Sequence, residues 1–207
     1  MKPGELRVRK RHTMMIAGVV CLTALLALFY GGCDRGSNSG LPVIGEVTRD
    51  YSFFSQENKF VTPETLAGKV YVTDFFFTSC PSICPLMTRQ MARVYDVFKE
   101  NRDDFMLLSH TIDPEHDTVQ VLKNYSDGLD VDPSLWLMVT GDQDEIFAMA
   151  KHYMLGAMKN DDVPGGYIHS GSFVLVDRKK RIRGYYNGTD SEKVDLMITD
   201  IKRLLDE

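Results

Sequence analysis

A chain of 207 residues has room for one ordinary domain and a short appendage, whereas two full domains would be cramped. The formal net charge is -5, and the first twelve residues contribute +4, so the remainder of the chain is strongly acidic. Nucleic-acid binding depends on clustered Lys and Arg side chains that contact phosphate, so this charge balance predicts no nucleic-acid partner.

Residues 1–33 read as a membrane-directing segment. A basic start is followed by an uncharged run from Thr13 to Cys33, close to the ~20 residues that cross a bilayer as a helix. The basic side is expected to stay in the cytoplasm, which places the rest of the chain on the periplasmic or outer side of the inner membrane. Two alternatives stay open: a retained anchor, or a lipoprotein signal cleaved before a lipidated Cys33. The letters "YGGC" supply the small residues of such a signal, although Tyr30 departs from the usual aliphatic residue.

Residues 34–43 are predicted to be a flexible spacer, and residues 44–207 a single folded domain. Hydrophobic periodicity predicts a hairpin in "YSFFSQENKFVT", a buried strand in "KVYVTDFFF", a helix in "PLMTRQMARVYDVFKEN" and a strand in "DFMLLSHTI". It then predicts a helix in "DTVQVLKNYSDGL" capped by Asp117, a strand in "SLWLMVTG", a helix in "DQDEIFAMAKHYM", a hairpin in "GSFVLVDRKKRIRGYYNG" and a final helix opened by the capping box "TDSE". This alternation predicts an α/β fold with a mixed central sheet flanked by helices.

Two cysteines, Cys80 and Cys84 in "TDFFFTSCPSICPLM", lie where a buried strand ends and a helix begins. Sites of open α/β sheets form beyond the carboxyl ends of the strands. Pro85 suits the first helical position, which would make Cys84 the cap; a helix that begins at Pro81 would instead place both cysteines on one face. Either geometry brings the sulfur atoms together, and the helix N-terminus favours thiolates.

The spacing of these cysteines leaves their chemistry open. A disulfide suits an oxidising compartment, but one that closes so short a loop stabilises little. Redox pairs of the thioredoxin type have two intervening residues, whereas this pair has three. Structural zinc sites and iron–sulfur clusters need four ligands, whereas Cu(I) accepts two or three soft ones.

A third ligand would be a histidine, and His169 is the best placed. It follows a loop that contains Pro164 and two adjacent glycines, and it directly precedes a predicted strand. A lone histidine is more often structural than a ligand, so the residues alone leave its role open. Met87 and Met91 are possible soft ligands, but their helical spacing indicates core packing.

Three segments, "GKVYVTDFFFTSCPSICPLM", "TIDPEHDT" and "YIHSGSFVLVD", occur in an order that resembles the Sco/SenC family. These are thioredoxin-fold copper proteins that help assemble the dinuclear copper (CuA) centre of cytochrome c oxidase. The resemblance spans roughly residues 44 to 205 and implies a thioredoxin-like fold with an added N-terminal β-hairpin. It also implies that Cys80, Cys84 and His169 bind copper, as Cu(I) or Cu(II). One departure is His116, where many relatives carry arginine.

The resulting hypothesis is a membrane-tethered copper chaperone. Its implied partners are the copper-centre subunit of cytochrome c oxidase and a copper donor protein. The alternative from another class is a thiol–disulfide oxidoreductase in which Cys80 and Cys84 are catalytic and reduce the cysteines of the copper acceptor. A redox or copper sensor is the third possibility.

Overall fold

The computed structural model describes residues 40–160 and 162–207. The predicted membrane segment 1–33, with Cys33, and residues 34–39 of the predicted spacer lie outside the described residues. Among the described residues, no helix combines the length and the apolar character needed to span a bilayer.

Strands and helices alternate through the described chain, as the periodicity predicts. The strands are β1 Gly45–Glu46, β2 Phe53–Ser55, β3 Phe60–Val61, β4 Val70–Phe76, β5 Phe105–Thr111, β6 Trp136–Thr140, β7 Ala157–Lys159, β8 Tyr167–His169, β9 Ser172–Val176 and β10 Arg181–Asn187. The α-helices are α1 Cys84–Phe98, α2 Val119–Gly128, α3 Gln143–His152 and α4 Ser191–Leu205.

Eight of the strands form one mixed sheet in the order β1-β10-β9-β4-β5-β6-β2-β3. The central strands β4, β5 and β6 run parallel, and β9 pairs with β4 antiparallel. Every residue of β4, β5 and β6 is buried, because helices cover both faces of a parallel sheet. The predicted mixed sheet is confirmed, and the N-terminal hairpin β2–β3 pairs with the outer side of β6.

Two helix starts differ from the prediction. Cys84 is the first residue of α1 rather than its cap, and Ile83 is the N-cap. In α2 the N-cap is Thr118, whose side chain accepts a hydrogen bond from the Val121 amide, whereas Asp117 is buried and bonded elsewhere. Adjacent Asp and Thr residues are both good caps, so only the tertiary contacts of Asp117 decide between them.

The segment before His169 is not a loop throughout. Strands β7 and β8 form a separate antiparallel hairpin in which Ala157 pairs with His169. Gly165 and Gly166 turn the chain before β8 with positive φ angles of 88° and 77°, a region that favours glycine. Strands of three residues carry too little alternation to be predicted from periodicity. This hairpin gives His169 a defined backbone direction.

Candidate metal centre

Three separate elements bring Cys80, Cys84 and His169 together at the carboxyl end of β4. Cys80 lies in the turn after β4, where its amide bonds to the Phe77 carbonyl; Cys84 begins α1, and His169 ends β8. One ligand atom from each of the three residues lies within 4.8 Å of the others. Because His169 lies 85 positions after Cys84 in the sequence, it is the fold that brings the histidine to the two cysteines.

The imidazole of His169 is oriented by its own neighbours. Its Nδ1 lies 3.1 Å from the Ser170 carbonyl oxygen, so Nδ1 carries the proton and donates. Its Nε2 lies 3.1 Å from the Cys84 sulfur, so the free electron pair of the ring points into the group. Burial lowers the pKa of His169, and the bond to Ser170 offsets only part of this effect. A neutral imidazole with Nε2 available is the form that binds a metal ion.

The two thiols differ in acidity. Burial opposes ionisation of Cys80, but hydrogen bonds from the Cys84 thiol, from Ser82 and from the Cys84 amide outweigh it, so the pKa of Cys80 lies below that of an ordinary thiol. Burial raises the pKa of Cys84, and so do its bond to Cys80 and the nearby charge of Asp74. Cys80 is therefore the stronger candidate for attack on another sulfur at neutral pH.

A cleft of about 230 Å³ opens beside Cys80. Cys80 and His169 line it together with apolar residues that include Phe77, Ile83 and Ile168. No charged side chain of the described residues lines this cleft. Cys84 is almost fully buried beneath it, at 1% exposure, so Cys80 is the sulfur that a partner reaches first.

The hairpin that carries His169 packs directly on the turn that carries Cys80. A Cβ atom at Gly165 would lie 3.0 Å from the Phe77 ring and 3.2 Å from Pro81, so only glycine allows this approach. The Phe77 ring also contacts His169, with ring centroids 6.0 Å apart. The hairpin that carries His169 and the turn that carries Cys80 are thus in van der Waals contact.

The other histidines that the structure describes, and the two methionines, lie outside this group. His110 is buried against Phe75, and His152 accepts a hydrogen bond from the Thr48 amide, so neither joins the group. His116 bonds to Asp117 on the surface side of that carboxylate. Met87 and Met91 are completely buried in the core, in agreement with the packing interpretation.

Sequence reasoning missed Thr78, Tyr167 and Asp74, which lie around this site. Asp117 bonds to the backbone and side chain of Thr78, and Tyr167 bonds to Asp113. Asp74 lies buried in β4, with one carboxylate oxygen unpartnered among the described residues. A charged residue within a run as apolar as "VYVTDFFF" was the signal that could have identified it.

Two thiols and an imidazole nitrogen are suited to two kinds of chemistry. As thiolates they bind soft ions such as Cu(I), and the imidazole nitrogen extends this to Cu(II). As a dithiol they exchange with another disulfide, with Cys80 as the attacking sulfur. A thioredoxin-like domain with this group beyond a central strand therefore defines a thiol-based metal or redox protein.

The SCO1/SenC family matches residues 44–206, and this chain belongs to that family. The SCO1 protein homolog of Bacillus subtilis is 33% identical over 183 residues, which cover 87% of this chain and 94% of that relative. The solved structure of BsSco is 28% identical, with a TM-score of 0.67 over 81% of this chain and 98% of its own. Its description names a disulfide switch and the Sco family of cytochrome c oxidase assembly proteins.

A copper-bound relative is also similar. The crystal structure of Arabidopsis thaliana ScoI with copper bound is 29% identical, with a TM-score of 0.63. The match covers 77% of this chain and 99% of that structure. These similarities confirm the resemblance found in the sequence and the thioredoxin-like fold.

Proposed function

We propose that this chain is a membrane-tethered copper chaperone that assists assembly of the dinuclear copper centre of cytochrome c oxidase. The observation that carries the proposal is the convergence of Cys80, Cys84 and His169 within 4.8 Å, beside a cleft whose described lining residues carry no charge. Membership of the SCO1/SenC family, the copper-bound relative and the oxidase-assembly relative support it.

The proposed ligand set suits a copper ion that is transferred to another protein. Two thiolates hold Cu(I), and the Nε2 atom of His169 adds a nitrogen that Cu(II) favours. Cys80 borders the cleft, so a sulfur or nitrogen ligand of an acceptor can approach from that side and exchange with it. The described lining residues are uncharged and largely apolar, which suits an acceptor whose contacting loop is itself uncharged at its centre. We propose the copper-centre subunit of the oxidase as this acceptor and a copper protein as the donor.

Copper binding is expected to depend on thiol oxidation state. A disulfide between Cys80 and Cys84 would consume both sulfur ligands, so only the reduced chain holds the ion tightly. Both cysteines are free in the structure. The same pair thus links copper loading to the redox state of the compartment.

One observation favours the second candidate function, a thiol–disulfide oxidoreductase. The pKa of Cys80 is lowered and that of Cys84 is raised, which is the asymmetry of an attacking thiol and a buried resolving thiol. The Cys80 thiolate would attack a disulfide of the acceptor and release one acceptor thiolate. Cys84 would then attack Cys80, which releases the second acceptor thiol and leaves the Cys80–Cys84 disulfide. The acceptor gains two electrons and two protons, and this chain loses them.

The variant His169→Ala separates the two functions. Dithiol exchange depends on thiolate fraction and access, so the variant is expected to reduce a model disulfide within a few-fold of wild type. Loss of the nitrogen ligand is expected to weaken Cu(II) binding by about ten-fold or more. In cells, a chaperone with this change would fail to build the oxidase copper centre, as measured by oxidase activity and its copper spectrum.

The controls are Cys80→Ser, which disables both functions, and His152→Ala, which removes a histidine outside the group. Full oxidase assembly with His169→Ala and none with Cys80→Ser would reject delivery and establish the reductase. Loss of assembly with His169→Ala, together with normal disulfide reduction, is the result that the chaperone requires.

We further propose that residues 1–33 tether the domain to the outer face of the inner membrane, by an anchor or by a lipid on Cys33. A reporter enzyme that is active only outside the cytoplasm, fused after Glu207, is expected to be active, since the basic residues precede the uncharged run. Parallel fusions to a reporter that works only in the cytoplasm serve as the control. Activity in that second set alone would reverse the proposed orientation.

A further inference from the structure

The loop between β5 and α2, residues 112–118, contains most of the segment "TIDPEHDT" but none of the three proposed ligands. The helix cap accounts for only Thr118. Asp113 and Asp117 are not needed for that cap, and Asp117 is fully buried. A buried carboxylate needs a compensating set of donors, so the contacts of this loop indicate what it holds in place.

The first arm runs from Asp117 to Cys80. One carboxylate oxygen of Asp117 accepts the Thr78 amide at 3.0 Å and the hydroxyl of Thr111, and the other accepts the Thr78 hydroxyl and Nδ1 of His116. Four donors fix this carboxylate, and two of them belong to Thr78, two residues before Cys80. Because bonds to a charged acceptor are the strong ones, the start of the Cys80 turn is held to the loop.

The second arm runs from Asp113 to His169. The hydroxyl of Tyr167 donates to Asp113 at 3.0 Å and accepts from the Gln143 amide group at 3.1 Å. Tyr167 precedes His169 by two residues in β8, so both side chains leave the strand on the same face. This anchor fixes the strand from which the imidazole projects.

The two arms meet in one short segment. The Asp117 amide donates to the Asp113 carbonyl at 2.8 Å, so a backbone bond links the two aspartates directly. We propose that this loop is a brace that sets the separation of Cys80 and His169, with Thr78 and Tyr167 as its positioning residues. The inference rests on the proposed function insofar as the two ends of the brace are metal ligands.

The two arms should have different metal signatures. Cys80 serves both oxidation states of copper, whereas the imidazole matters most to Cu(II). Loss of an outer partner of a metal ligand typically costs ~10–100-fold in affinity. The variant Thr78→Val is therefore expected to weaken Cu(I) and Cu(II) alike by about ten-fold, and Thr78→Ser is expected to restore both. The variant Tyr167→Phe is expected to weaken Cu(II) by about ten-fold and Cu(I) by less than about three-fold, with a shifted thiolate-to-Cu(II) absorption band.

The matched controls remove the same groups elsewhere. Thr73→Val deletes a buried threonine hydroxyl that contacts His110, and Tyr185→Phe deletes a tyrosine hydroxyl that donates to the Tyr153 carbonyl. Both are expected to bind Cu(I) and Cu(II) as the wild type does. Amide hydrogen exchange of the metal-free chain is a further measurement. Exchange should accelerate at residues 78–80 in Thr78→Val, whereas in Tyr167→Phe it should accelerate in β7 and β8.

The outcomes distinguish the brace from the function it serves. A wild-type chain that binds no copper while the exchange pattern holds would overturn the chaperone and leave the brace as the support of a dithiol site. In Tyr167→Phe, an unchanged Cu(II) affinity would overturn the brace. Equal losses of Cu(I) and Cu(II) affinity in that same variant would also overturn it. A loss of binding in Thr78→Ser as large as that in Thr78→Val would show that the hydroxyl bond to Asp117 does not set the copper affinity, and it would overturn the arm that runs to Cys80.

Discussion

The reduced Cys84→Ser variant is expected to lose tight Cu(I) binding. Removal of a residue that hydrogen-bonds to a metal ligand costs ~10–100-fold in metal affinity. Removal of one of the two thiolate ligands should cost more, because the serine hydroxyl is a poor ligand for a soft ion. Cys84 is also the sulfur that lies 3.1 Å from Nε2 of His169, so the change disturbs both neighbouring ligands. Competition with a chromophoric Cu(I) chelator under anaerobic conditions measures the loss.

The matched control is Met87→Leu, which removes a buried sulfur one turn along α1 while conserving volume. Its copper affinity is expected to equal that of the wild type, since Met87 is packed in the core. Copper retained at wild-type affinity in the Cys80→Ser, Cys84→Ser double variant would move the site away from the cysteines. A loss in Met87→Leu alone would place the methionines in it.

The second large expected effect is a change in the pH dependence of stability, and it concerns Asp74 and His110, neither of which is a proposed copper ligand. Burial raises the pKa of Asp74 to about 7, and a bond from Ser109 offsets only part of this. The carboxyl group of Asp74 therefore binds a proton more tightly in the folded chain than in the unfolded chain, so protonation of Asp74 stabilises the fold. The stabilisation is complete below the ordinary aspartate pKa of 3.8 and is lost as pH rises through about 7.

His110 acts in the opposite direction. It is fully buried, stacked on Phe75 with ring centroids 4.7 Å apart, and burial lowers its pKa to about 4. The unfolded chain takes up a proton near pH 6.5 that the folded chain refuses, so stability is lost as pH falls from 6.5 toward 4. Between pH 4 and 7 the two groups oppose each other, and the wild-type profile is flattened.

Substitution of either residue alone should therefore give the free energy of unfolding a clear dependence on pH, with opposite signs in the two variants. Asp74→Asn is expected to raise the free energy of unfolding at pH 8 by on the order of 2 kcal/mol and to make the chain more sensitive to acid. His110→Phe is expected to remove an acid-labile group, so its stability should rise relative to wild type as pH falls from 7 to 4.5. Urea unfolding at a series of pH values, followed by Trp136 fluorescence, measures both.

The exposed substitution Asp144→Asn in α3 serves as the control and should leave the pH profile unchanged. Slopes of the same sign in Asp74→Asn and His110→Phe would contradict the assignment of opposite protonation preferences. So would an Asp74→Asn variant that is less stable than wild type at pH 8, since the buried carboxylate would then be fully compensated when charged.

The sequence by itself determined the central strands, the α-helices and the position of the two cysteines at the end of β4. Apolar runs and three- and four-residue steps mark the side of an element that will face the core, and this pattern is local to each element. The three family segments also predicted the thioredoxin-like fold and grouped Cys80, Cys84 and His169, which lie within 4.8 Å of one another in the structure. Those segments carry the residue types and the order that the fold requires.

Only the tertiary structure decided how the site is supported. In the sequence, Asp117 looks like a helix cap and Tyr167 like a loop residue. Their roles are hidden because Asp117 bonds to Thr78, 39 positions away, and Tyr167 bonds to Asp113, 54 positions away. Hydrogen bonds of this kind leave no periodic trace, since they depend on where a parallel sheet and a short hairpin bring two loops together. The distance between Cys80 and His169 is for the same reason a property of the packed domain, set by contacts that no local pattern encodes.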